Sequence, residues 1–267
     1  MMLFHLILVA TIQGITEFLP VSSSGHLALI PNLTSLDDQG LVIDVFAHIG
    51  TLFAVILYFF RDVRSALAGL IDLIQWKIRT SNAKLATCLV IGTIPVVLLG
   101  FVFYTTGIGD SLRNLKVIGF TTLLFGIVLY VCDQLGTTDQ KFTNWSVKDA
   151  FILSLFQMIS LIPGTSRSGI VISGARLKGY NRSDATRISM LMSIPTILAA
   201  GTLSTIGLMQ NPQPTLIVNS LIVLAISFVA ALGALATMMK LIQSFSFTPF
   251  VIYRVILGVI LLWVAYN

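Results

Sequence analysis

The chain has 267 residues, 56% hydrophobic and 10% charged, with a net charge of +5 and a mean hydropathy of +0.94. A soluble domain carries about a quarter charged residues, so the composition excludes one; the apolar runs do not alternate, which argues against a transmembrane barrel. The basic residues form no run dense enough for a nucleic-acid surface, so no nucleic-acid partner is expected, and they suit the cytoplasmic face of a membrane protein instead.

Residues 1–30 are apolar to Ile15, then carry Glu17 (the only Glu in the chain), Pro20, Ser22, Ser23, Ser24, Gly25 and His26, and turn apolar again. Each half is too short to cross ~30 Å at ~1.5 Å per residue, and Pro and Gly break the helix between them. That pattern predicts a re-entrant helical hairpin, whose non-helical tip survives only if buried in protein or lining a wet cavity. Full spans are predicted at 41–60, 85–106 and 115–132. A second hairpin is predicted at 148–176, broken at Pro163-Gly164 and a Ser/Arg knot, followed by spans at 188–209, 216–239 and 248–266.

The expected fold is therefore an all-α polytopic membrane protein, with about six transmembrane helices plus two re-entrant helical hairpins in one integral domain over 1–267. The hairpins lie half a chain apart, each with Pro before a Ser-rich stretch ending in Gly, and "IPVVLLG" (94–100) echoes "IPTILAAG" (194–201). Repeat-like halves at about 1–132 and 133–267, inverted as in transporters, are expected. Cys88 and Cys132 lie in apolar segments without metal-site spacing and read as small core residues. The first Lys or Arg is Arg61, so a cleavable signal peptide is not expected.

Charge gives an orientation. If the first hairpin opens to the outside, loops 61–84, 133–148 and 176–187 with Lys240 are inside and hold twelve basic residues. Loop 107–116 is then outside with Arg113 and Lys116; loop 31–40, with Asp37 and Asp38, and the uncharged loop 210–215 are outside too. The opposite orientation breaks the positive-inside rule. The hairpins enter from opposite faces, so their tips can meet near the midplane.

The tips carry the candidate chemistry. Gln13 and Glu17 are i, i+4 on one helix face, and an ionisable residue inside a membrane is a functional candidate by default. Ser23 and His26 are three apart, so one helical turn would set hydroxyl beside imidazole. Against this stands the reading in which the serines only satisfy a broken backbone. The second tip reads Pro163-Gly164-Thr165-Ser166-Arg167-Ser168-Gly169. Arg recognises phosphate bidentately, Gly lets backbone N–H groups approach, and a helix starting there points its positive end at an anion. Together the tips supply a cation, a nucleophile and a base for a phosphate. Asp44 and His48, also i, i+4, are candidates for the cavity wall or a structural hydrogen bond. Arg254, inside the last span, reads as a structural ion pair or a residue supporting the site, and His5 as interfacial.

"QGITEFLPVSSSGH" (13–26) followed by "PGTSRSG" (163–169) resembles the undecaprenyl-diphosphate phosphatases, or bacitracin-resistance proteins. The resemblance extends to "DVFAHIGTL" (44–52) and "SFTPFVIYR" (246–254), and so covers most of the chain. Gln13 stands at a position where the family also uses an acid, and Val171 where its second motif usually ends in Thr. The resemblance implies hydrolysis of a polyprenyl diphosphate to the monophosphate, with a divalent cation, Mg or Ca. The expected location is the bacterial inner membrane, and because the charge count opens the first hairpin outward, the site is expected to face outside. By position the resemblance assigns function to Gln13, Glu17, Ser23, His26, Ser166 and Arg167; Ser22, Ser24, Gly164, Thr165 and Ser168 complete the expected substrate site, and Glu17 with Gln13 is the candidate metal set. The nucleophile stays open between Ser23 and His26, and a second copy of the chain is a candidate partner. The rival reading is a transporter or flippase of an anionic lipid, which needs an anion site but neither nucleophile nor base.

Overall fold

A computed structural model describes residues 3–34, 36, 39–210 and 214–267, side chains at 41, 110, 203–210, 214 and 215 excepted. Asp37, Asp38 and residues 211–213 of the predicted outer loops lie outside the described residues. The described chain is helical: α1 (Leu3–Thr16), α2 (Ser23–Leu33), α3 (Leu41–Tyr58), α4 (Phe60–Ile74), α5 (Ser81–Thr106), α6 (Ile108–Ser111), α7 (Leu115–Leu135), α8 (Val147–Ile159), α9 (Arg167–Leu177), α10 (Arg182–Gln210), α11 (Pro214–Leu241) and α12 (Thr248–Tyr266). α5, α7, α8 and α10 begin at side-chain caps that satisfy orphan N–H groups. Thr80 accepts from Ala83 N at 2.9 Å, Asn114 from Val117 N at 3.0 Å, Ser146 from Asp149 N at 3.1 Å and Asn181 from Asp184 N at 2.9 Å.

The six predicted spans fall on α3, α5, α7, α10, α11 and α12. Among the described residues α5, α7, α11 and α12 are each long and apolar enough to cross a membrane, and α3 with α4 forms a fifth candidate bent by 91°. The predicted loop 61–84 thus contains a helix. Arg61, Asp62 and Arg64 open it, and Leu67, Leu70, Ile71 and Ile74 give it an exposed apolar stripe, the pattern of a helix lying along an interface. The two predicted hairpins are α1–α2 and α8–α9, their breaks at residues 17–22 and 160–166.

Lipid tails are as apolar as leucine, so helices in a membrane hold together through close packing of small residues. A Cβ on Gly119 of α7 would meet Leu262 Cδ2 of α12 at 2.8 Å. One on Gly14 of α1 would meet Ala230 Cβ of α11 at 2.6 Å. α1 rests on α11 and α8 on α5, so each hairpin leans on a helix of the other half. The echoing prolines Pro95 and Pro195 fall inside α5 and α10. α9 is buried along its length from Ser168 to Arg176, with Ile172 and Ala175 packed among Leu153, Ile188 and Met192. A short helix sealed in this way keeps its broken ends off lipid.

Away from the tips, a buried polar knot ties α7, α9 and α10. Asp133 accepts from Arg176 Nε and Arg182 Nε, each at 2.9 Å, and Arg176 also reaches the carbonyls of Thr137, Tyr180 and Gly136. Arg187 pairs with Asp62 and lies over the Phe142 ring, 3.9 Å from its centroid. Cys88 and Cys132 are buried and free. His5, expected at the interface, is 3% exposed and belongs to the protein interior.

Candidate active site

Both tips are built alike. The chain leaves α1 with Glu17 N donating to Gln13 O at 3.0 Å, and Phe18 and Val21 anchor the turn in the core. Ser22 then takes φ +73° and its hydroxyl accepts from Gly25 N, starting α2; Ser166 takes φ +68° and accepts from Gly169 N, starting α9. A non-glycine residue in this region costs of order 1–3 kcal/mol and persists only where its surroundings enforce it. Ser22 lies 3.2 Å from the Ser24 hydroxyl, and Ser166 3.2 Å from that of Ser168. The tips also hold each other: Gly164 N donates to Ser24 Oγ at 3.0 Å, and Ser168 Oγ donates to Leu19 O at 3.2 Å. Gly164 sits at φ +89°, where a Cβ would strike Thr121 Oγ1 and the Ile118 carbonyl of α7, so only glycine fits there.

Glu17 is the hub. Its Oε2 accepts from Gln13 Nε2 at 2.8 Å and from Ser23 Oγ at 3.1 Å, and its Oε1 accepts from Arg167 Nη2. The expected Gln13–Glu17 stack is therefore formed, and Arg167 crosses from the other hairpin to meet it. The Glu17 side chain is 5% exposed and that of Arg167 14%. At that burial the desolvated pair is strongly coupled, and removing either member strands the other.

The imidazole facing Glu17 is that of His48, with Nε2 3.4 Å from Oε2. His48 Nδ1 donates to the Asp44 carbonyl at 2.7 Å, and the Asp44 carboxylate accepts from Gln39 Nε2 at 2.6 Å and Arg113 Nη2 at 3.1 Å. Asp44 and His48 thus line the cavity. The anticipated Ser23–His26 pair is not formed. His26 Nδ1 donates back to the Ser22 carbonyl at 2.7 Å, and Nε2 meets the Tyr253 hydroxyl at 2.6 Å with the two rings stacked. A residue in the first helical turn has that carbonyl within reach, and it captures the ring.

Arg254 is fully buried and, among the described residues, has no carboxylate partner, so the expected ion pair is absent. Its Nε donates to Thr122 O at 3.1 Å and its Nη2 to Gly164 O and Thr165 O at 3.0 and 2.9 Å. It clamps the second tip by its backbone. Thr165 is buried and does not line the cavity, whereas Ser166 and Gly164 do.

A cavity of about 540 Å³ opens between the tips, lined on its polar side by Glu17, Ser22–Ser24, His48, Arg113 and Arg167, and on its apolar side by Val96, Phe103 and Ile197. A second, of about 350 Å³, adjoins it across Ser23, Ser24 and His48 and reaches Gln13 and Asp44. His26 lines neither. The capped N-termini of α2 and α9 both end at the larger cavity, placing two positive helix ends in the same cavity as the Arg167 guanidinium. The arrangement has the charge and donors to take an anion of phosphate type next to a hydroxyl hydrogen-bonded to a carboxylate.

Residues 6–260 match the protein family described as Bacitracin resistance protein BacA. The chain is similar to a protein named undecaprenyl-diphosphatase from Ruegeria pomeroyi, 56% identical over the full length of both chains. It is 41% identical to undecaprenyl-diphosphatase 1 of Rhodospirillum rubrum, over 100% of this chain and 96% of that one. It is also 41% identical to the undecaprenyl-diphosphatase of Chromohalobacter salexigens, over 98% of each.

Proposed function

This chain belongs to the bacitracin-resistance BacA family, and from that membership we propose its reaction: hydrolysis of undecaprenyl diphosphate to undecaprenyl phosphate and inorganic phosphate. It is a multi-pass bacterial membrane phosphatase acting on the lipid carrier of cell-wall synthesis. The observation that carries the chemistry is Glu17, which joins Ser23 of one tip to Arg167 of the other on the cavity wall. An anion carrier would use Arg167 and the cavity but has no use for a serine hydrogen-bonded to a buried carboxylate.

In the mechanism we propose, Arg167 turns part of its fork from Glu17 to the terminal phosphate. Its planar donors match phosphate oxygens, and the N-termini of α2 and α9 add to the field. Glu17 accepts the Ser23 proton as Oγ attacks phosphorus, and the bond to the prenyl phosphate breaks. Water then attacks the phosphoserine, the Oγ–P bond breaks as phosphate leaves, and Glu17 returns its proton to Ser23 Oγ. Ser23 is favoured over His26 because it lines the cavity on Glu17, whereas both His26 nitrogens are engaged elsewhere. His26 is a positioning residue in this reading: it fixes the Ser22 carbonyl, and with it the turn presenting Ser23.

A divalent cation is also proposed. Among the described residues no three His, Cys, Asp or Glu side chains are placed to hold one alone, but Gln13 Oε1 is buried without a hydrogen-bond partner one turn from Glu17. One carboxylate and one amide oxygen fit a Mg or Ca ion that shares its shell with substrate phosphates. When bound it would neutralise charge on the diphosphate.

Access from the outer face is part of the proposal. The cavity is lined by Gly109 and Arg113, from the segment that the charge distribution assigns to the outside. The apolar wall at Val96, Phe103 and Ile197 suits the tail. Purified protein in detergent should release phosphate from a polyprenyl diphosphate, and Glu17→Gln should cut that release by orders of magnitude while still accumulating in the membrane. Normal turnover by Glu17→Gln would remove the mechanism.

A further inference from the structure

A diphosphate has two phosphate groups, and the cluster around Glu17 and Arg167 accounts for one. Arg113, on the short segment between α6 and α7, pairs with Asp44, whose carbonyl holds His48 Nδ1. Arg113 and His48 both border the two cavities already described and a third of about 210 Å³ that continues along α3 and α10. They therefore stand at the junction between the catalytic pocket and the space leading away from it. The Arg113 side chain is 49% exposed and gives Nη2 to Asp44; a guanidinium has five donors in a fixed fork, so others remain for an anion.

Charge calls for a second cation. Arg167 is already neutralised by Glu17, and even with the proposed divalent cation a diphosphate keeps negative charge without a counterpart in a low-dielectric site. Charge also moves during the reaction: when the terminal phosphorus is attacked, negative charge collects on the oxygen that stays with the prenyl phosphate. A donor fixed next to that oxygen lowers the barrier as well as holding the substrate.

We propose that Arg113, with His48 beside it, forms the subsite for the prenyl-linked phosphate, the leaving group, while Arg167 and Ser23 engage the terminal phosphate. This inference rests on the phosphatase reading of the same cavity. The subsite makes the enzyme selective for diphosphates, because a single phosphate fills only the Arg167 side.

The test uses the full chain in detergent, with inorganic pyrophosphate and inorganic phosphate as inhibitors of farnesyl diphosphate hydrolysis. Arg113→Gln should raise the inhibition constant of pyrophosphate about tenfold or more, while that of phosphate moves less than about threefold. Turnover number should fall along with affinity, and Arg113→Lys should lie between, since charge is kept and the fork lost. Asp44→Asn, which removes the ion pair but leaves Arg113, should keep pyrophosphate inhibition. Equal inhibition constants in wild type and Arg113→Gln would overturn the subsite. So would an Asp44→Asn variant with the same defect as Arg113→Gln, because Arg113 would then act through the Asp44 pair. Loss of both inhibitors in Arg113→Gln, with Arg113→Lys at wild-type levels, would also overturn it. Wild-type hydrolysis of the diphosphate separately tests the phosphatase reading.

Discussion

Ser23 and Arg167 hold the same place in the two tips, each the residue after a positive-φ serine cap, and both end on Glu17, one on each carboxylate oxygen. A repeated backbone device thus presents a nucleophile from one side and a cation from the other. Equivalence of position with difference of residue turns two similar hairpins into one asymmetric site.

Arg167→Lys keeps the charge and loses the fork. The ammonium cannot span Glu17 and a phosphate in the geometry the guanidinium allows, so activity should fall about a hundredfold or more. Phosphate release by protein that elutes normally in detergent checks this. Near-normal turnover would make Arg167 a structural partner of Glu17 only.

The identity of the nucleophile has a chemical signature. A phosphoserine at Ser23 is stable to acid and labile to base, whereas a phosphohistidine is the reverse. Rapid acid quench with substrate labelled in the terminal phosphate should trap label on the peptide containing Ser23, and Ser23→Ala should abolish it. An acid-labile label would return the role to an imidazole, His26 or His48.

The backbone clamp gives a stability prediction. Arg254→Lys leaves a point charge where Nε and Nη2 reach three carbonyls from Thr122, Gly164 and Thr165. Each buried carbonyl left unsatisfied costs about 1–3 kcal/mol, so the variant should lose at least ~2 kcal/mol of stability and, because Gly164 and Thr165 lead into Arg167, at least about tenfold in turnover. Thermal unfolding in detergent alongside the phosphate assay reads both. Unchanged melting would mean that water replaces the fork.

The hairpins were legible because Pro20 and Pro163-Gly164 interrupt apolar runs too short to span a membrane, and backbone physics allows few alternatives. The Gln13–Glu17 contact was legible because it is helical and local. The rest depends on tertiary contact. The spacing of Asp44 and His48 made them candidates for the cavity wall, but that His48 faces Glu17 and that Arg113 joins them depends on the packing of α3 and the α6–α7 segment, which no spacing within one element announces. The partners of Arg254 are carbonyls, which every residue has, so sequence offered no clue to prefer them over a carboxylate. The Ser23–His26 pairing failed because helical spacing fixes where a side chain starts, while the Ser22 carbonyl one turn back decides where the ring goes. The interfacial helix α4 was hidden by its charged first turn, although its leucine and isoleucine spacing was in view.

The side of entry can be measured. Ser24 lines both larger cavities, and Arg113 on the same cavities belongs to the segment assigned to the outside, so a thiol at position 24 should be reached from the outer face. Ser24→Cys, in a background with Cys88→Ala and Cys132→Ala, is treated in intact cells with a thiol reagent that does not cross the inner membrane. Outward access predicts labelling that substrate suppresses. Both native cysteines are buried, so their removal costs only small-residue packing, and the background should retain activity. Because Ser24 Oγ accepts from Gly164 N, activity of the Ser24→Cys protein must be read alongside; a sulfur is a weaker acceptor, and a partial loss is expected. Labelling only in inverted vesicles would reverse the assigned orientation. Labelling from both sides would mean that the cavity between the tips opens alternately, the behaviour of a carrier of anionic lipid rather than of an outward-facing phosphatase.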